Sequence, residues 1–258
     1  MTTPPTNRDN DTATIEDHQQ ISTGFLLTTA LARLRTATSA ILVLGIAGII
    51  ATGIDQLQLH DPIPTVGFTG IQDGQFSITF EIGIAILSRA NVPLSALIDL
   101  KLKWLAWTIG LELLGFTVVV GAGAIALARL LDVSLTVAAV SRYTATVMLL
   151  QGVSGNLHFE GGAMLLAVPL FILGFLLVVR LFALPGLLIA GYPIRSALRW
   201  SWRLADGHGW SLFGVILIVG GLNHLLASTP FVGAFGSAFV AMLHAGTVAA
   251  FLRATNAV

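Results

Sequence analysis

Apolar residues fall in long unbroken runs separated by short polar stretches, and the runs have the length of bilayer crossings. Clear runs cover residues 37–54, 104–128, 163–182, 211–227 and 232–252, each near the ~20 residues an α-helix needs to cross the hydrocarbon. A further run, 133–150, is moderately apolar and carries Arg142 and Tyr143 in its middle. Over 21–36, Phe25, Leu26, Leu27, Leu31 and Leu34 precede and flank Arg33 and Arg35. That pattern predicts an amphipathic helix leading into the first span. Residues 94–103 read the same way ahead of the second span. The stretch 55–75 has no Lys or Arg, which suits an external loop. Around Asp73-Gly74 the alternation has period two, so Phe76, Ile78, Phe80 and Ile82 share one face of a predicted small external β-hairpin. The glycine-rich, cation-free stretch 151–162 also reads as external.

The segment PIRSALRWSWRLADGHGW, residues 193–210, breaks the apolar pattern most sharply. Arg195, Arg199 and Arg203 recur every fourth residue and form one helical stripe, with Ala197, Trp200 and Leu204 on roughly the opposite face. A basic, aromatic-rich helix between spans reads as a cytoplasmic membrane-surface element, and Asp206-Gly207 supplies its stop. A cytoplasmic N-terminus and a cytoplasmic stripe need an even number of crossings before residue 195, so the clear spans require one more. If it is 133–150, Arg142 lies in the membrane, at roughly 2.5–3.5 kcal/mol on insertion scales. If it is 76–92, then Arg89, Lys101 and Lys103 fall inside, but Glu81 enters the membrane and a hairpin strand is consumed. The first is preferred, and both give six spans in a cell membrane with both termini cytoplasmic.

The expected fold is therefore an all-α integral membrane protein of about six transmembrane helices, with amphipathic interfacial helices and a small external β-hairpin. Residues 1–20 set one Arg against four carboxylates and predict a disordered acidic tail. Residues 21–258 predict a single helical membrane domain, its first span an uncleaved anchor.

Composition agrees: 55% of the chain is hydrophobic and 10% charged, against about a quarter charged in soluble domains. A formal net charge of zero gives no global field for nucleic acid. With no cysteine there is no thiol chemistry and no Cys-based metal site. No HExxH, GxSxG, Walker A or GxGxxG pattern occurs, so no catalytic, cofactor-binding or metal-binding residue is assigned and a non-enzymatic protein is expected. In the last span Gly233, Ser237, Ala241, Ala245 and Ala249 form a small-residue stripe, a surface for close helix packing against a neighbouring span or a second subunit.

Ionisable groups at membrane depth are the usual functional pointers. Here they are Glu112, Arg142, His224 and His244, with Glu112 and Arg142 able to neutralise each other on adjacent helices and His224, beside Asn223 and Ser228 near an outer end, suited to plain hydrogen bonding. The sequence thus supports two functional expectations. One is a non-enzymatic module organising lipids or a membrane complex, with Arg195, Arg199 and Arg203 as candidate headgroup contacts. Its partners are membrane lipids, and itself or another membrane protein. The other is a small transporter or permease component in which Glu112, Arg142 and His244 converge on an internal polar pathway.

In the segment around the stripe, Ala197, Leu198, Ser201, Trp202, Leu204 and Gly207 stand in a pattern that resembles the membrane domain of glycerophosphoryl diester phosphodiesterases and of related stand-alone membrane proteins. There a span descends to Ala-Leu-x-x-Ser-Trp-x-Leu-x-x-Gly and a new span follows. The likeness covers about 40 residues and implies a membrane module. The catalytic barrel of those enzymes has no counterpart in this chain, so no catalytic residue carries over.

Overall fold

The computed structural model describes residues 21–63, 66–67, 71–72, 75–78, 84, 86, 90–91, 100–154, 157–159, 164–227, 229 and 233–258. The acidic tail, 92–99 and most of 79–89 lie outside them, and with them Phe80, Ile82 and most of the helix expected over 94–103. Helices dominate: α1 Thr23–Thr36, α2 Thr38–His60, α3 Leu102–Leu131, α4 Val137–Ser154, α5 Met164–Arg180, α6 Leu184–Ile189, α7 Ile194–Leu204, α8 Gly209–Ala227 and α9 Gly233–Ala254.

Five stretches are long and apolar enough to cross a bilayer: Thr38–His60, Leu102–Leu131, Val168–Ile189, Gly209–Leu226 and Gly233–Ala254. They make this a multi-pass membrane protein. Val137–Leu150 is a shorter apolar helix.

The first span does not stop at Ile54 but continues to His60, because Asp55 and Gln58 find burial instead of water, at 3% and 2% exposure. α3 begins at Leu102, and residues 92–99 lie outside the described residues.

Short antiparallel strands sit beyond the helices. Ile71–Gln72 pairs with Gln75–Ile78, with Ile71 opposite Phe76, and Gln75–Ile78 also pairs with Leu157–Phe159. Val66–Gly67 pairs with Ala90–Asn91. The strand at 157–159 was not expected within the glycine-rich stretch. It brings the chain between α4 and α5 to the same place as the chain between α2 and α3.

The core is organised on α9, which packs against α1, α2, α3, α6 and α8. Its small residues explain this centrality. Ser237, Ala241, Ala245 and Ala249 are all buried within the chain itself, so the stripe serves neighbouring helices. A Cβ on Gly48 would lie 2.6 Å from Ala238 Cβ, and one on Gly45 would lie 3.9 Å from Met242 Cε. α2 and α9 therefore run antiparallel at close approach. Gln58 beside Glu112 and Ile54 beside Gly115 make α2 and α3 antiparallel too. Tyr143, fully buried, stands over Gly123, so α4 returns alongside α3.

α6 is the unexpected element. The run read as one span over 163–182 ends as α5 at Arg180, turns, and re-forms as a six-residue helix, LPGLLI, with every residue buried. Pro185 fits the first turn, where no intrahelical donor is needed. Gly191 at φ +97° closes it: Tyr192 N–H reaches Leu187 O and Gly191 N–H reaches Leu188 O, the double bond of a Schellman end.

Candidate functional site

The antiparallel packing collects the C-terminal ends of α1, α3, α5 and α9 at one end of the bundle, with α7 beside them. Each of these helices carries arginine in its last turn: Arg33 and Arg35 in α1, Arg129 in α3, Arg180 in α5, Arg203 in α7 and Arg253 in α9. The described helices that end at the opposite side, α2, α4 and α8, carry none. Helix C-termini present unpaired carbonyls and partial negative charge, so the arginines have a local reason to gather there.

Four arginines hold backbone carbonyls. Arg33 and Arg253 both donate to Leu130 O, each at 3.3 Å, and Arg253 also pairs with Asp132. Arg180 donates to Trp202 O at 3.2 Å and pairs with Asp206, while its own carbonyl accepts from Ser201 Oγ at 2.8 Å. Arg142 donates to Gly191 O at 2.7 Å and Tyr192 O at 3.0 Å. Tyr192 Oη in turn donates to Ala257 O at 3.1 Å. Burial first, and then the charge of Arg253, hold the Arg33 guanidinium below its ordinary pKa, with Asp132 opposing.

The stripe on α7 is different. Ala197 and Ser201 are its buried positions, whereas Arg195, Arg199 and Arg203 are exposed. Trp200, read from the spacing as roughly opposite the arginine stripe, is exposed, with the Arg203 guanidinium 5.9 Å from its ring centroid. Ser201, small enough to let α7 sit on the end of α5, takes the buried place instead. Trp202 is exposed beneath the Arg180 guanidinium at 5.3 Å, and Trp210 is 85% exposed. Among the described residues no ion pair engages the three stripe arginines.

The polar groups expected at membrane depth are not brought together. Glu112 is exposed on α3 and accepts from Gln58 Nε2 at 3.0 Å. It lies nineteen residues from Leu131, about 28 Å along the helix, or one hydrocarbon thickness from the arginine end. Arg142 lies little more than a turn into α4, whose first residue is Val137, and its guanidinium reaches the carbonyls after α6. The Glu112–Arg142 pair is thus not formed. His244 is half-buried with its ring 5.7 Å from Phe182. The sequence reading missed the carbonyl-binding role of Arg33, Arg142, Arg180 and Arg253. For Arg33, Arg180 and Arg253 the available signal was their place at the ends of apolar runs, whereas Arg142 stood in the middle of one. It also missed buried Asp55, which it set in a loop.

No family model, curated protein or solved structure matches the chain.

Proposed function

We propose that this protein is a non-enzymatic membrane module that gathers anionic lipid at one face through the exposed arginine–tryptophan surface of α7. The observation that carries the reading is a division of labour. Arg33, Arg142, Arg180 and Arg253 each hold a backbone carbonyl, while Arg195, Arg199 and Arg203 are exposed beside exposed Trp200 and Trp202. Guanidinium with interfacial tryptophan is the chemistry of an amphipathic surface helix on acidic headgroups, at about 1 kcal/mol per basic residue.

The same arrangement supports the topology. Lys101 and Lys103 stand at the start of α3, opposite the arginine end. The cation-rich end is then the cytoplasmic one by the positive-inside rule, and it carries both the start of α1 and the end of α9. Val137–Leu150 is the sixth crossing. The strand pair Ile71–Gln72 with Gln75–Ile78 belongs to an external hairpin. The likeness to the phosphodiesterase membrane domain fits this module without adding an activity.

The test replaces Arg195, Arg199 and Arg203 together by Gln and measures phosphatidylglycerol enrichment around the protein in mixed phosphatidylcholine nanodiscs. The expected result is loss of that enrichment with the fold retained. Undiminished enrichment in the triple variant overturns the reading.

A further inference from the structure

Arg33 and Arg253 come from helices far apart in the chain and converge on one acceptor, Leu130 O. Their only carboxylate partner among the described residues is Asp132, which pairs with Arg253 and whose side chain is 77% exposed. Two guanidiniums thus share one carboxylate among the described residues. Arg253 Nε is shut away from solvent with no acceptor, although buried polar groups are normally paired. For Arg33, a single bond to protein serves a group that has five donors.

We propose that this corner, where α1, α3 and α9 end, is a discrete phosphate site that takes the headgroup of an anionic phospholipid between Arg33 and Arg253. A phosphate there accepts from both guanidiniums, whose planar donor sets suit it better than a lysine ammonium. Asp132 competes with the headgroup for Arg253 and so tunes its retention. The acyl chains have an apolar surface at hand, since Arg33 and Arg253 sit at the ends of apolar helices. The inference rests on the reading that this end of the bundle meets the anionic leaflet. It concerns the half-buried arginines Arg33 and Arg253, distinct from the open stripe on α7.

The experiment titrates phosphatidylglycerol into the full chain in a neutral maltoside micelle and reads bound lipid by native mass spectrometry. The expected result is one tightly retained phosphatidylglycerol, held about tenfold more weakly by Arg33→Gln and more tightly by Asp132→Asn. If the arginines serve only as helix caps, Asp132→Asn lowers thermal stability and leaves lipid retention unchanged, and the proposal falls. Should Arg33→Gln fail to fold, Asp132→Asn alone decides. Inorganic phosphate in the same titration separates the sources: if phosphate displaces nothing and stabilises nothing, the ligand is the lipid headgroup. If phosphate alone reproduces the stabilisation, the site takes a soluble oxyanion and the lipid assignment is overturned. The α7 triple variant distinguishes the two readings. Loss of the tight lipid there, with none in Arg33→Gln, sinks this site and leaves the stripe, while the reverse result sinks the stripe and leaves this site.

Discussion

Gly48 is where α2 and α9 come closest, and a methyl there has nowhere to go. Its Cβ would meet Ala238 Cβ at 2.6 Å and the Phe235 backbone at 3.4 Å, neither of which can swing aside. Gly48→Ala should cost about 1–3 kcal/mol by forcing the helices apart, read as a fall in thermal unfolding temperature in detergent. At Gly220 and Gly221 on α8, an added Cβ would have nothing within 4 Å. Alanine at either should leave stability unchanged or raise it by up to about 1 kcal/mol, the helix preference of Ala over Gly. Gly186 lies between these cases: its Cβ would fall 2.4 Å from Leu252 Cδ1, a side-chain end that is nonetheless buried among close neighbours. Sequence alone cannot rank these glycines, because a helix of apolar residues and glycine looks alike whether it faces lipid or another backbone.

Among the elements, α6 and α7 are held less by their own length than by what reaches them from elsewhere. α6 has six residues, too few to be stable alone, and depends on burial against α3, α4, α7 and α9 and on Arg142 across its exit turn. Arg142→Gln should speed amide exchange at 190–192 markedly while leaving α4 itself protected, since a bond to a charged donor is worth about 1.5–3 kcal/mol. Ser201→Ala removes the bond to Arg180 O and should loosen α7 from α5 by about 1 kcal/mol, seen as increased exchange over 197–204. These elements show where sequence reading stops. The arginine spacing marked α7 as a helix with one basic face, because periodicity is a local property. It could not assign Trp200 and Ser201 to the correct side, because that depends on the end of α5. No helix is predicted over 183–192 from sequence, since the partners that bury LPGLLI lie in four other helices. Arg142 looked like a charge in mid-membrane, because the apolar run begins at 133 while the helix begins only at Val137.

For the molecule as a whole, the apolar runs made the membrane class and most helix positions legible, since crossing length is a property of one segment at a time. Contacts between segments were not legible, including the carbonyl clamps and the separation of Glu112, Arg142 and His244. The absence of cysteine makes the topology directly testable. Single substitutions Ser134→Cys, Leu157→Cys, Asp206→Cys and Thr229→Cys, probed in intact cells with an impermeant maleimide, should label at 157 and 229 and stay protected at 134 and 206. Matching labelling at 134 and 157 removes the sixth crossing. The central place of α9 carries a further consequence for biogenesis. Of the described helices, the one that the others share as a packing partner leaves the ribosome after all of them. Until it arrives, α1, α2, α3, α6 and α8 have no common wall, and Asp132 and Leu130 O wait for Arg253. Insertion of the earlier spans and their assembly are therefore separate events, and a chain stalled before residue 233 presents quality-control proteases with spans that are in the bilayer but not yet a bundle.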